Sequence, residues 1–151
     1  MRFEIVPMRE ADLQEVVEIE ERTGLNRWGY DAYRRELLTN PQALMYVARP
    51  LDTIDREVLG FVASALMYDE LHINNIAAHP DHQRVGVGRT LLNTVISEGR
   101  LRGAVFCVLE VRASNTVAQS LYDTIGFRAT RRRKDYYRLP TEDAIEMVLK
   151  L

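Results

Sequence analysis

The chain has one cysteine, Cys107, in 151 residues. That excludes an internal disulfide, and a lone thiol fits a reducing, cytoplasmic compartment. Cys107 stands in the apolar run Val105-Phe106-Cys107-Val108-Leu109, which reads as a buried structural thiol rather than a nucleophile. Long apolar stretches are missing as well. Nothing approaches the roughly 20 residues of a membrane span, so no membrane partner is expected. The opening Met1-Arg2-Phe3-Glu4-Ile5 has an acidic residue and no extended apolar region, unlike a secretory leader. There is no internal repeat, low-complexity tract or linker. His79-x-x-His82 with Asp81 lacks a third ligand at a recognised spacing, so no metal is expected. What is present is a chain 46% hydrophobic and 28% charged. Residues 1–151 therefore read as one globular domain with its own core.

Charge is unevenly spread. Residues 1–75 carry 8 Lys+Arg against 14 Asp+Glu, a net −6, and residues 76–151 carry 12 against 8, a net +4. An anionic cofactor would favour the second half and a cationic substrate the first.

Periodicity gives the elements. Residues 3–6 read as a strand. Residues 11–22 read as a helix, with Leu13, Val16, Val17 and Glu20 marking its period. A loop over 24–29 holds the only tryptophan, Trp28. Asp31 reads as the cap of a short helix to Leu38. Residues 43–49 and 58–68 read as strands joined by a polar connection over 50–57. A strand over 71–78 is followed by a helix over 88–98, with Val87, Leu91, Leu92, Val95 and Ile96 on one face. Residues 104–111 form a nearly continuous apolar run, as in a central strand. Ser114 reads as the cap of a helix to Ile125, with Gly126 at its end. Residues 127–137 and 144–149 close the chain as a hairpin. This order predicts an α/β or α+β domain on a mixed sheet.

The densest chemical signal is Arg84-Val85-Gly86-Val87-Gly88-Arg89. A two-glycine turn that opens a helix and is flanked by arginines suits a pyrophosphate. The first helical turn has unpaired N–H groups and the positive end of the dipole. Glycine lets that backbone approach an anion, and arginines add charge-assisted bonds. Gly88 is followed by Arg89-Thr90, not Lys-Ser/Thr, and a third glycine is replaced by Leu91. The nucleotide-binding patterns therefore fit poorly.

Glu110 sits in Val108-Leu109-Glu110-Val111. A carboxylate in an apolar strand is costly unless it is paired or functional. Burial pushes carboxyl groups toward the behaviour of a general base; the alternative is a structural ion pair, with Arg112 as a candidate partner. On the next helix Asn115, Ala118 and Tyr122 share a face. Val117, Leu121 and Ile125 form the stripe expected to pack on the sheet, leaving Tyr122 to face a cleft. Glu70 and His72 are alternative bases. The run Arg131-Arg132-Arg133-Lys134 reads as a solvated strand edge, with direct nucleic-acid contact not expected. Trp28, Tyr136 and Tyr137 are candidates for lining a peptide groove, core packing being the alternative.

The glycine loop resembles the Gln/Arg-x-x-Gly-x-Gly/Ala acetyl-CoA loop of the GNAT acyltransferase superfamily. Three blocks sharpen the resemblance: residues 75–89, Leu109-Glu110-Val111-Arg112-Ala113-Ser114-Asn115, and Leu121-Tyr122-Asp123-Thr124-Ile125-Gly126-Phe127. They are similar to bacterial ribosomal-protein-alanine N-acetyltransferases. The resemblance implies a GNAT-like mixed central sheet of about seven strands flanked by about four helices. It implies acetyl-CoA as cosubstrate, with a protein N-terminus, that of a ribosomal protein, as acceptor. Glu110 matches the family's proton acceptor and Tyr122 its proton donor. Ile76, Ala77 and Ala78 match the strand that pairs with the pantetheine arm, and Arg84, Val85, Gly86, Val87, Gly88 and Arg89 the pyrophosphate loop. Asn115 matches a further acetyl-CoA contact. A lysine or small-amine acetyltransferase, or a non-catalytic acyl-CoA- or RNA-binding module, are the alternatives.

Overall fold

The computed structural model describes residues 2–51 and 57–151. Its strands are β1 (Phe3–Pro7), β2 (Ala43–Pro50), β3 (Gly60–Met67), β4 (Glu70–Ala78), β5 (Phe106–Arg112), β6 (Arg128–Tyr137) and β7 (Glu142–Lys150). Its α-helices are α1 (Leu13–Arg22), α2 (Tyr30–Thr39), α3 (Val87–Leu101) and α4 (Thr116–Ile125). The strands form one sheet in the order β1-β2-β3-β4-β5-β7-β6, antiparallel except for the β4–β5 pair. The mixed sheet with four flanking α-helices matches the expected architecture. Most of the expected 50–57 connection lies outside the described residues, which resume at Glu57. Among the described residues no helix is long and apolar enough to cross a membrane.

Alternating side chains send each strand into two cores. Leu44, Val62, Leu71, Ile73, Cys107 and Leu109 pack with Val87, Leu91, Leu92 and Val95 of α3. Their neighbours Met45, Val47, Phe61 and Ala63 face the other way, onto Leu13, Val16 and Ile19 of α1 and Tyr33 of α2. Burying each large side chain contributes roughly 1.5–3 kcal/mol. The α1 end is pinned by a buried ion pair between Asp12 and Arg49 of β2. Cys107 is buried, and desolvation pushes its thiol up to about 12, as befits a structural residue.

Gly60 is required by close approach. A Cβ there would stand 2.6 Å from Val87 Cγ1 and 2.8 Å from the Ala77 carbonyl oxygen. The start of α3 can therefore sit tight on β3 and β4.

Two caps differ from expectation. Gly29, not Asp31, occupies the N-cap of α2. Asn115, not Ser114, caps α4, its side chain accepting from Ala118 N at 3.1 Å. One stripe differs in a single member, Leu121 and Ile125 packing inward as expected. Val117 is 72% exposed, while Tyr122 is buried and Ala118, Leu121 and Ile125 pack beside it. Tyr122 thus belongs to the inward face of α4, its ring 5.8 Å from that of Phe127. A period of 3.6 allows either stripe; contact with the sheet selects the one that buries the larger ring.

Candidate active site

The site follows from a fault in the sheet. β4 and β5 pair only over Glu70↔Phe106 to Ile73↔Leu109. At that point β4 has a bulge: Ser64 of β3 pairs with Ile73, and its neighbour Ala63 pairs with Asn75, which leaves Asn74 as the extra residue. Bulges bend a strand and end pairing. β4 continues to Ala78 along β3, while β5 continues to Arg112 along β7. The two strands diverge into a wedge. Among the described residues, backbone groups of residues 74–78 have no ladder partner on the β5 side.

A cavity of about 660 Å³ fills this wedge. Ile76, Ala77 and Ala78 line one arm, and Leu109, Glu110, Val111 and Arg112 the other. Ala118, Leu121 and Tyr122 of α4 form a wall, joined by Asn115 and Tyr137. Arg84, Gly86, Val87, Gly88 and Arg89 close the end at the start of α3. Of the expected cofactor residues only Val85 is not on the wall; it points to solvent, 44% exposed. Trp28 and Tyr136 also lie off the wall. Trp28 packs on Tyr33 with ring centroids 5.2 Å apart, and Tyr136 stacks edge-on against Tyr137 at 5.1 Å.

The α3 end is built for an anion. It has no side-chain cap and no acidic residue in its first turn, so its N–H groups and dipole point at the cavity unopposed. Arg84 and Gly86 both adopt left-handed backbone, φ 66° and 88°, which turns successive amides inward. Gly88 has ordinary helical φ, and a Cβ there would meet nothing but open space beyond its own helix, at a position that lines the cavity. A pyrophosphate fits this cradle, and a pantetheine arm fits the unpaired edge of β4.

Glu110 has a side chain only 8% exposed. It is paired, but not with Arg112. His72 Nε2 lies 3.2 Å from Glu110 Oε2, and Arg133 Nε lies 3.8 Å from Oε1. The Glu110 bond pushes the His72 imidazole above its ordinary 6.5, against the downward pull of burial. Glu70, the other alternative base, is exposed at the start of β4. Tyr122 lies across the cavity, its hydroxyl pushed up to about 12 by burial. A hydroxyl in that range keeps its proton at neutral pH and is able to donate it.

Arg112 has a different task. Nε donates to the Gly24 carbonyl at 2.7 Å, and Nη1 donates to the Pro140 carbonyl at 3.0 Å and to Glu142 at 3.3 Å. Its guanidinium also lies 4.5 Å over the Tyr137 ring. It ties the α1–α2 loop to the β6–β7 turn across the mouth of the site.

Two residues that sequence reasoning left without a role sit behind that loop. Glu20 is buried; it accepts from Trp28 N at 2.6 Å, Gly29 N at 3.2 Å and the Tyr33 hydroxyl at 2.9 Å. Asn75 Nδ2 donates to the Tyr33 hydroxyl at 2.7 Å and to the Asn26 carbonyl at 3.1 Å. Together they lock the α1–α2 loop to β4. The signal for Glu20 was its place on the apolar period of α1.

The basic run on β6 is paired with β7: Arg131 and Arg133 with Glu146, and Arg132 with Asp143. It behaves as a charged edge strand. His79 and His82 stack with ring centroids 5.4 Å apart, and no group of three metal-ligating side chains occurs among the described residues.

Residues 13–127 match the family model described as acetyltransferase (GNAT) family. The chain belongs to that family. This GNAT acetyltransferase is 35% identical over 151 residues to the ribosomal protein bS18-alanine N-acetyltransferase of Escherichia coli strain K12, covering 97% of each chain. It is 44% identical over 103 residues to the Salmonella typhimurium protein of that name, spanning 66% of this chain and 68% of that one. The crystal structure of the ribosomal-protein-S18-alanine N-acetyltransferase from Escherichia coli is 32% identical, with TM-score 0.85 over 99% of this chain and 94% of that one. The NatC complex bound to Gag peptide and CoA has TM-score 0.88 at 20% identity over 100% of this chain and 99% of that one, a likeness of fold.

Proposed function

We propose that residues 1–151 form one acetyl-CoA-dependent domain that acetylates a protein N-terminal amine, the alanine terminus of a small-subunit ribosomal protein, in the cytoplasm. The observation that carries the reading is the wedge itself: an anion cradle at one end, an unpaired strand edge along one arm, and Glu110 and Tyr122 beside the gap. Full-length relatives with the bS18-alanine name support the choice of acceptor.

Arg84, Arg89 and the amides around Gly86 and Gly88 hold the pyrophosphate, and the exposed edge of Ile76, Ala77 and Ala78 holds the pantetheine arm. Asn115 borders the same cavity. When bound, acetyl-CoA supplies the activated acyl carbon. Glu110, directly or through water, takes the proton of the attacking amine. Amides of β4 stabilise developing negative charge on oxygen, and Tyr122 protonates the leaving sulfur. An α-amine, of pKa near 8, loses its proton far more readily than a lysine near 10.4, which favours a protein N-terminus as acceptor. Tyr137 on the wall and the rim tied by Arg112 are where the peptide approaches.

Mass spectrometry of Ala-starting and Lys-containing peptides incubated with enzyme and acetyl-CoA tests the reading. Acetylation of the α-amine of Ala-starting peptides is expected. Lysine-only modification would overturn the choice of acceptor, and no acetylation despite tight acetyl-CoA binding would overturn the enzymatic reading.

A further inference from the structure

Glu110 is only 8% exposed and faces the cavity, so while the cavity is filled a proton that it takes needs another way out. Of the groups around it, Arg133 carries no proton that it will release, Tyr136 and Tyr137 are phenols pushed upward by burial and by Glu110, and Glu146, opposite on β7, is already bonded to Thr130, Arg131 and Arg133. The remaining one is His72. Its ring is 32% exposed, and its Nε2 is within bonding distance of Glu110 Oε2. The two lie on adjacent parallel strands at the point where the wedge opens, His72 within the last paired residues and Glu110 one residue past the last pair. His72 thus spans from the buried carboxylate to solvent.

We propose that His72 carries the amine proton from Glu110 to water and so resets the base between turnovers. This rests on the assignment of Glu110 as proton acceptor. The proton leaves Glu110 Oε2 for His72 Nε2, giving an imidazolium and restoring the carboxylate. The imidazolium then releases its Nδ1 proton to water, and exchange with water restores the accepting tautomer. No oxidant or further reactant is involved. His72 acts through Glu110 and is a positioning and relay residue, not one that touches the reacting atoms.

The charged groups facing His72 set the sign. Glu110 from β5 and Glu70 from its own strand favour the imidazolium, and Arg133 from β6 opposes it. The net effect is upward from 6.5. Below its folded pKa the ring is already protonated and the exit is filled. Activity therefore rises with pH as His72 becomes neutral.

The test is the pH profile of kcat at saturating acetyl-CoA and Ala-starting peptide for wild type and for His72→Gln, which keeps a donor toward Glu110 but does not titrate. The peptide amine, near 8, titrates with both enzymes. The wild-type acid limb is expected to show one protonation more than that of the variant, with about tenfold lower turnover of the variant at neutral pH. Imidazole added to His72→Ala should restore activity. Acetyl-CoA affinity within about twofold of wild type reports an intact cavity, and His72→Asn serves as a second variant. A variant that keeps every inflection of the wild type overturns the relay, even if its rate falls, because packing alone lowers rate without removing a titration. Wild-type turnover in Glu110→Gln would overturn the base assignment instead.

Discussion

The two strands that open the site contribute in opposite ways. β4 offers backbone: Ile76, Ala77 and Ala78 carry no reactive side chain, and what matters is that their β5-side amides and carbonyls have lost a partner. β5 offers side chains: Glu110, which we propose takes the amine proton, and Arg112, which ties the rim. The bulge at Asn74 separates them. A sheet that paired along its full length would have no cavity at this point, and Glu110 would lie beside a satisfied strand. The proposed binding edge and the proposed base thus lie on neighbouring strands, and each is open to separate damage.

The sharpest way to break that division is Glu110→Gln. Turnover should fall by about 10²–10⁴ with acetyl-CoA affinity unchanged, as read by steady-state kinetics and calorimetry. Tyr122→Phe should lower turnover by about 10². Because the ring is buried in the core beside Phe127, the variant keeps its packing, and an unaltered rate would reduce Tyr122 to a core residue.

The glycines sharpen the binding side. Gly86 has φ 88° and open space where a Cβ would go. Gly86→Ala therefore acts through backbone strain, roughly 1–2 kcal/mol, which loosens the cradle and lowers the melting temperature. Gly88→Ala has no such strain and gains helix propensity of about 1 kcal/mol. Its Cβ enters the cavity, so acetyl-CoA affinity should fall while thermal stability holds or rises. Equal thermal losses in both variants would contradict the cradle.

The smallest effect concerns acid. Hydrogen bonds from Ser114 and charge from Arg112 hold Glu142 below 4.5. The Asp135 amide and Arg132 hold Asp143 below 3.8. For Glu146, burial pulls upward, but bonds from Thr130, Arg133 and Arg131 outweigh it and the net shift is downward from 4.5. Depressed carboxylates contribute stability above their unfolded values and lose it as pH falls through the folded ones. The urea midpoint should decline modestly below about pH 4.5. Solvent screening keeps each exposed pair weak. A midpoint flat to pH 3 would remove these pairs from the hairpin's stability.

What the sequence made legible follows the same division. Glu110 stood out because a carboxylate in an apolar strand demands a reason, and the glycine turn because its spacing has a mechanism. The order of elements was readable because each period is local. The wedge was not, since losing a strand partner is a tertiary event that leaves no mark on Ile-Ala-Ala. The partners of Glu110 were misread for the same reason. Arg112 is near in sequence and shares its face, but the sheet brings His72 and Arg133 from β4 and β6. Val117 was misread because two stripes on α4 fit one period. Glu20 was visible as a glutamate in a core register, and its meaning needed the amides of Trp28 and Gly29 from the following loop.

The most direct test of the division is a paired measurement on Glu110→Gln: the single-turnover acetylation rate of an Ala-starting peptide and the dissociation constant for acetyl-CoA. The account predicts a rate at least about 10² lower with the dissociation constant within about twofold of wild type. A rate near wild type, or a rate and an affinity that fall together, would contradict it.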